Sequence, residues 1–443
     1  MMNKLAHSTF YQQFALAILI LVSVTAPLGA QPQQLTLEEA LDQGPNNLAY
    51  QAQLEQIQVL EARLQQSNRR PNPNFETEFD TGALAGDGGD YSLSLLLVQT
   101  WERGGKRELR QQITLAQLEQ AVLEAENSLR LLTSEIRLAY LELLRIQKRF
   151  SLIESHGERI NNLLQLDLVR VEQGEIPTLN AAQLQTELTT LDVLKGHLET
   201  ERWRTQYQFN VLIGSPAEAE HVAVEEIEGL LPLPDVARAL SFALAYRPDL
   251  KAMRAAVTQA DLDVSMERAV AQRDWEFGLG YHRGVGGLDA EDFVPQGILQ
   301  SASFVDNQFH LSLSVPLPIW DDNSGNVAAA AASKRVRERQ LAQSESLVRS
   351  QVLSAYQAYD VNRRTRELYQ NNLIPRLEEN VQRLEAAYQL TGEGLDQWIG
   401  IQQDLMEATL QGLEADFQVR QSVIKLEEAV GGLLEAVTQG PHS

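Results

Sequence analysis

The stretch LAQLEQAVLEAENSLRLLTSEIRLAYLELLRIQKRFSLIESHGERI, Leu115 to Ile160, decides how the rest of this chain is read. Leu115, Val122, Leu129, Ile136, Leu143 and Phe150 recur every seven residues. Leu118, Ala125, Leu132, Ala139, Ile146, Ile153 and Ile160 form a second row three positions on. These are the a and d positions of a sustained heptad, the seam along which one long helix packs on another. Gly and Pro are sparse from about 105 to 172, so the pattern predicts one helix from about Gly105 to Val171. At ~1.5 Å per residue such a rod is roughly 100 Å long, more than any compact soluble domain needs.

Other segments read the same way. Ile401, Leu405, Ala408, Gly412, Ala415, Val419, Ser422, Leu426, Ala429 and Leu433 are spaced by alternating steps of four and three, and their many small members allow close helix approach. Residues 326–390 open with Val327 and five alanines and meet no Pro before Pro375, which predicts helix. Shorter helices are expected at 36–67 and 235–271, the first with Thr36 and Glu39 as a capping box. Such stripes build walls and bind nothing.

The two halves match at a nearly fixed offset. Gly174-Glu175 and Gly392-Glu393, Gln185 and Gln403, and Gly214 and Gly432 all differ by 218, and Trp101 and Trp320 by 219. Upstream, Asn47-Leu48 pairs with Asp249-Leu250 at 202, which assigns the extra residues of the second half to a Gly- and Asp-rich loop at 283–307. The chain is therefore a tandem duplication of helix, strand, strand and long helical hairpin.

Two strand pairs interrupt the helices. Phe75, Thr77, Phe79 and Thr81 alternate with Glu76, Glu78 and Asp80. Tyr91, Leu93, Leu95, Leu97 and Trp101 alternate with Ser92, Ser94 and Thr100. Trp275, Phe277, Leu279 and Tyr281 alternate with Glu276, Gly278, Gly280 and His282; Phe309, Leu311, Leu313, Val315, Leu317 and Ile319 alternate with His310, Ser312 and Ser314. Period two places each apolar set on one face, with aromatics near its ends and small, polar or acidic residues opposite. That is the pattern of a lipid-facing barrel, and about ten residues suffice to cross a membrane tilted. Amphipathic hairpins on a soluble core are the competing explanation, but the helices offer no sheet to pack on. Four strands cannot close a barrel alone, so closure requires two, three or four copies.

Composition narrows the function. The chain has 443 residues, no Cys, and a formal charge of −23. Absence of Cys excludes disulfides, thiolate metal sites, cysteine nucleophiles and a lipidated Cys. Lys4 followed by the apolar run Phe14–Val24 and Leu28-Gly29-Ala30 reads as a cleaved secretory signal, with an uncleaved anchor as the alternative. Its removal takes away only Lys4 and leaves −24, which argues against nucleic acid and suits a solvated surface or a cation-favouring passage. The seven histidines form no ligand pair at helix spacing and read as surface or lumen residues. No nucleophile elbow, Ser-His-Asp arrangement or nucleotide loop is present, so neither catalytic residues nor a cofactor are expected.

At this point particular strings resemble the TolC-like outer-membrane factors of tripartite efflux and secretion systems. They are Thr36-Leu37-Glu38-Glu39-Ala40-Leu41, Tyr246-Arg247-Pro248-Asp249-Leu250 and Val315-Pro316-Leu317-Pro318-Ile319-Trp320, in that order within 36–433. The resemblance implies a homotrimer with a shared twelve-stranded barrel in the outer membrane and a helical tunnel in the periplasm, a mainly α fold with a membrane β part. It also implies that the turns at Gly174-Glu175 and at Gly392, Glu393 and Asp396 form a periplasmic tip that meets an adaptor protein linked to an inner-membrane pump. Some family members carry aspartates six and nine residues after the second tip glycine; here those positions are Trp398 and Ile401, so that ring is not carried over. Asp404 is the nearby candidate for pore-entrance charge. Trp101-Glu102-Arg103-Gly104-Gly105-Lys106-Arg107 resembles the heavy-metal-efflux branch and implies divalent cations as cargo, against drugs, other small molecules or polypeptides.

The expected layout is a signal at 1–30, an N-terminal helix at 31–71, a first barrel hairpin at 72–103 and a first tunnel hairpin at 104–214. An equatorial linker at 215–234, a helix at 235–272, a second barrel hairpin at 273–321, a second tunnel hairpin at 322–434 and a tail at 435–443 complete it. Two other classes compete: a soluble periplasmic coiled-coil scaffold, which leaves the aromatic strands unexplained, and an adhesin-like trimeric fibre, which leaves the duplicated hairpins unexplained.

Overall fold

The computed structural model describes residues 33–81, 91–224, 233–288, 302–434 and 437. The expected signal at 1–30, nearly all of the tail and part of the equatorial linker lie outside the described residues. The chain order is β1 (Gln33–Leu35), α1 (Leu37–Gln43), α2 (Leu48–Ser67), β2 (Asn74–Thr81), β3 (Tyr91–Trp101), α3 (Lys106–Glu172), α4 (Thr178–Ile213) and β4 (His221–Ala223). The second unit follows as α5 (Val236–Tyr246), α6 (Pro248–Val270), β5 (Trp275–Leu288), β6 (Ala302–Ser314), α7 (Ser324–Leu368), α8 (Ile374–Thr391) and α9 (Leu395–Val430).

Helix α3 is the rod that the heptad predicts, 67 residues without a break. Most of its seam from Ala125 through Ile160 is buried, with Leu129, Ala139 and Phe150 half-buried, while Leu115, near the strands, lies exposed. The seam of α9 is buried from Leu405 to Ala429; its last expected member, Leu433, falls past the helix end and is exposed, and Leu434 is buried in its place. Pro375 does not end the second hairpin's first rod. A π turn at Tyr369–Leu373 absorbs it, putting Pro375 in the first turn of α8, where a missing N–H costs no helical bond. Gly412 of α9 faces this widened turn: a Cβ there would lie 2.8 Å from Ile374 Cδ1 and 3.4 Å from Tyr369 Cβ. The small residue in the seam is what lets α9 pack over the bulge.

Each short helical segment divides in two at a proline, contrary to the continuous helices expected. The 36–67 region breaks at Gly44-Pro45 and the 235–271 region at Arg247-Pro248. The Thr36 box is present, with Glu39 N–H donating to Thr36 Oγ1 at 3.2 Å and Thr36 N–H donating to Glu39 Oε2 at 2.8 Å.

The duplication appears at the joints. Asn47 caps α2 and its Nδ2 donates to Val211 O and Leu212 O at the end of α4. Arg247 precedes α6 and its guanidinium donates to Ala429 O at 2.7 Å at the end of α9. Both side chains thus satisfy orphan C-terminal carbonyls of the long hairpin. The closing glycines are Gly214 and Gly431, at φ +69° and +87°, rather than Gly214 and Gly432. The offset at this joint is 217, and that between Asn47 and Arg247 is 200, not the 202 expected.

Among the described residues the core comprises three clusters. One surrounds Tyr140, whose hydroxyl donates to Leu35 O and Val224 O and so holds the parallel pair β1–β4 against α3. A second joins α3, α4, α8 and α9 around Ile153, Leu184, Tyr388 and Trp398. The third joins α5, α6, α7 and α9 around Leu250, Val352 and Leu426. His156 and His221 are buried in these walls, not at the surface or in a lumen.

The four long strands form one antiparallel sheet in the order β2-β3-β5-β6, uniting the two halves. Strands β5 and β6 extend into both ends of the 283–307 region expected to be a loop, over 283–288 and 302–307; 289–301 lies outside the described residues. At the other end β6 stops at Ser314, short of the expected Ile319, because Pro316 and Pro318 have no N–H for a ladder. Trp320 therefore lies beyond the sheet, whereas its counterpart in the first repeat, Trp101, ends β3 and is paired with Trp275.

Candidate functional site

The far end of the long hairpins is built by two glycine turns. Gly174 at φ +74° closes α3 and Gly392 at φ +70° closes α8. After the first turn Glu175 N–H donates to Arg170 O at 2.9 Å, and Ile176 is buried. A Cβ at Gly392 would lie 3.0 Å from both Ile176 Cγ2 and an Arg170 guanidinium nitrogen. The two expected tip turns are therefore in contact. Glu175 is exposed and within 3.5 Å of Arg170; Glu393 is exposed, its N–H donating to Thr391 Oγ1. Asp396 is exposed and accepts from Gln183 Nε2 at 2.6 Å, a bridge from α4 to α9. Asp404 is exposed but sits more than two turns into α9, apart from this group. Trp398 is 2% exposed and packs inward, so it contributes to the core and not to a charged ring.

Behind the turns lies a buried polar lock that the sequence reading did not identify. Tyr388 OH donates to Asp167 Oδ2 at 2.5 Å and accepts from Asn180 Nδ2 at 3.2 Å. Arg170 lies over the Tyr388 ring at 6.0 Å. Three helices, α3, α4 and α8, are tied at one point. Asp167 and Tyr388 are almost fully buried, and Asp167 Oδ1 has no hydrogen-bond partner among the described residues. Burial, followed by the bond to Asp167, pushes the Tyr388 phenol up to about 12, so the donor keeps its proton over the ordinary pH range. A signal was available: Asp167 is the next d position after Ile160, a carboxylate where the heptad demands an apolar side chain.

Between α4 and α9 runs an open groove of about 500 Å³ lined by Arg145, Leu191, Leu194, Met406, Leu410 and Glu414 among others. A smaller one continues toward the tip past Gln183, Asp396 and Gly400. Arg145 is held by Glu142, Glu201 and Glu414 at 2.5, 2.7 and 3.2 Å, and the bond to Glu142 raises its guanidinium above the usual range. Gln403 donates to Glu187 at 2.8 Å across the gap. Among the described residues, no three His, Asp or Glu side chains converge as a metal set.

At the opposite end, the sheet's register gathers the expected apolar set onto one face. Phe75 pairs with Leu97, and Phe79 with Leu93. Leu95 pairs with Tyr281 and Trp101 with Trp275; Phe277 pairs with Leu313, Leu279 with Leu311 and Tyr281 with Phe309. Directly paired residues share a face, so this surface is continuous across four strands, with Thr81 and Tyr91 at its far rim. It is uncovered: Phe309 and Leu311 are 81% and 85% exposed. The other face carries Glu76, Glu78, Asp80, Ser94, His282 and His310. Ser94 Oγ and His282 Nδ1 lie 2.9 Å apart, and the His310 ring covers Gly280. Strands β2 and β6 each leave one edge unpaired in the described chain. No helix among the described residues is long and apolar enough to cross a membrane.

Residues 239–432 match a protein family described as outer membrane efflux protein. In fold, 93% of the chain superposes on 96% of CusC, whose structures concern folding and transmembrane channel formation, with a TM-score of 0.72 and 14% identity. The Neisseria gonorrhoeae MtrE outer membrane channel, in its open state, is covered to 89% by 90% of this chain, with a TM-score of 0.69 and 15% identity. The Campylobacter jejuni CmeC outer membrane channel is covered to 90% by 92% of this chain, with a TM-score of 0.68 and 14% identity. At such identities the likeness establishes the fold. No curated protein matches the chain significantly in sequence.

Proposed function

We propose that this chain, which matches the outer membrane efflux protein family over its second unit, is the exit duct of an efflux assembly: a passive conduit, without catalytic residues, that opens through the outer membrane. The observation that carries this reading is the four-stranded sheet with one continuous, exposed, aromatic-rich face and two unpaired edges. An exposed apolar face of this extent needs lipid or protein against it. Unpaired edges need strands from other copies, and closed barrels are the β structures a bilayer accepts.

Three copies would supply twelve strands, the count implied by the resemblance to the outer-membrane factors. The face bearing Phe75, Phe79, Leu93, Leu95, Phe309, Leu311 and Leu313 would then contact lipid, and the face bearing His282 and His310 would line the lumen. The long hairpins would form the periplasmic tunnel, and their joined tip, with Glu175, Glu393 and Asp396, would meet the adaptor of an inner-membrane pump. Cargo would be small molecules or divalent cations. The chain's net charge of −23 and the exposed tip carboxylates favour the cationic class.

Membrane fractionation followed by mass determination in mild detergent tests the reading. A trimer released from the outer membrane only by detergent, conducting in planar bilayers with cation preference, is expected. A monodisperse species in the soluble periplasmic fraction would refute the duct and leave a coiled-coil scaffold.

A further inference from the structure

The corner where β3 turns into α3 runs against the electrostatics of the whole chain. Within a protein of net charge −23, the segments flanking the first hairpin carry Arg69, Arg70, Arg103, Lys106, Arg107 and Arg110, against Glu102 and Glu108 of the same segments and Asp274 from the second unit. Some are spoken for: Arg110 is paired with Glu102, and Lys106 Nζ lies 2.8 Å from Asp274. The others are not. Arg107 has its nearest carboxylate at 3.8 Å, and Arg103 lies over the Trp275 ring at 4.4 Å. Arg69 and Arg70 are exposed and have no carboxylate partner among the described residues. Along the helical walls, by contrast, Arg137, Arg145 and Arg247 each hold a carboxylate within 2.7 Å.

Arg70, without a carboxylate partner among the described residues, and Arg107, paired with Glu108 only at 3.8 Å, border a cavity of about 380 Å³ whose lining also includes Lys106, Glu102 and Glu108, with Pro71 and Gly105 beside them and Gln99 and Trp101 of β3 across from them. Gln99 and Trp101 belong to the sheet's apolar face, where Trp101 meets the Phe277 ring edge-on at 6.4 Å. The cavity therefore opens where the apolar face ends: guanidinium groups on the helix side, aromatic rings on the sheet side. A ligand matching both has an anionic head and apolar chains.

We propose that this corner binds the phosphate headgroup of an anionic phospholipid from the membrane leaflet nearest the helices, with its chains lying along the aromatic face. Arg70 and Arg107 would hold the phosphate, and Trp101 the glycerol–chain boundary. This rests on the barrel reading above.

The test uses the full-length oligomer in mild detergent, stripped of lipid, with phosphatidylglycerol and phosphatidylcholine as probes and native mass spectrometry as readout. Phosphatidylglycerol is expected to bind in preference to phosphatidylcholine. The double variant Arg70→Gln/Arg107→Gln is expected to lose phosphatidylglycerol affinity by about 25-fold, about fivefold per arginine, with phosphatidylcholine unaffected. Arg70→Lys/Arg107→Lys should keep most of the preference and controls for folding. Equal binding of the two lipids, or an unchanged double variant, would overturn the proposal. Displacement of the lipid by millimolar inorganic phosphate would also overturn it and reassign the site to free phosphate. A chain that is soluble without detergent would sink the barrel reading itself, and would show this before any lipid is added.

Discussion

Replacing Tyr388 by Phe removes one oxygen from the tip and tests whether the lock described above holds three helices together. The ring stays, so packing against Leu395 and Trp398 is kept and the loss is polar. Two hydrogen bonds go: the one to Asp167 at 2.5 Å and the one from Asn180 at 3.2 Å. A bond to a charged acceptor contributes about 1.5–3 kcal/mol net, and the weaker, partly exposed one roughly 0.5 kcal/mol. The remaining side chain matters as much. Asp167 Oδ1 already lacks a partner, so Tyr388→Phe leaves a fully buried carboxylate with no donor among the described residues. A loss of about 3 kcal/mol is expected. It should be read from urea unfolding of the detergent-solubilised protein, followed by helical circular dichroism. Asp167→Leu alone should cost less than Tyr388→Phe, because no orphaned carboxylate remains. The double variant should be milder than the sum of the singles by at least about 1.5 kcal/mol. A Tyr388→Phe protein within about 0.5 kcal/mol of the parent, or strict additivity in the cycle, would refute the reasoning and reduce the contact to a geometric coincidence.

His156 predicts an acid sensitivity. Burial, then the nearby Arg159 charge, lower its pKa to about 4, and it is 1% exposed. The folded state thus binds the proton less readily than the unfolded state, so its stability is full above the unfolded value near 6.5. It falls by about 1.4 kcal/mol per pH unit between there and about 4; His156→Leu should flatten that part of a thermal-melting profile relative to the parent. Leu311→Lys places a charge on the exposed apolar face and should cost roughly 2–4 kcal/mol if the face meets the bilayer midplane; detergent-resistant oligomer on gels should fall accordingly, while normal assembly would argue that no lipid lies there. Gly214→Ala should lose about 2 kcal/mol or more, since Gly214 has φ +69° and an added Cβ would stand 2.7 Å from Asn46 O; a melting temperature unchanged within 1–2 °C would contradict this.

The sequence carried the rods and the strands because their periodicities are local. Seven-residue spacing marks the seam of α3, the scarcity of Gly and Pro marks its ends to within a residue, and period two marks which side of each strand is apolar. Helix breaks were legible only in part. Pro248 and Pro45 divide helices as Pro does when its ring meets a preceding carbonyl, yet Pro375 is carried through by a π turn whose fit depends on Gly412 of another helix. The 283–307 segment misleads for a similar reason. Its glycines lower strand propensity, but Gly284 and Gly286 pair with Asp306 and Phe304 all the same, because a neighbouring strand supplies the ladder.

What the sequence alone determined is therefore the inventory: duplicated units, long amphipathic rods, four strands with one apolar side and an acidic chain without cysteine. Each follows from the order of side chains along a backbone of known repeat. What only the tertiary structure decided is which distant groups meet. It joined the two hairpins into one sheet through β3 and β5, brought the two tip turns into contact and placed Tyr388 over Asp167. It also placed Arg70 and Arg107 beside Trp101, with Arg107 paired to Glu108 only at 3.8 Å. Those meetings are set by helix packing and strand register across two hundred residues, where the cost of a buried carboxylate or an unpaired cation depends on neighbours that no local pattern names.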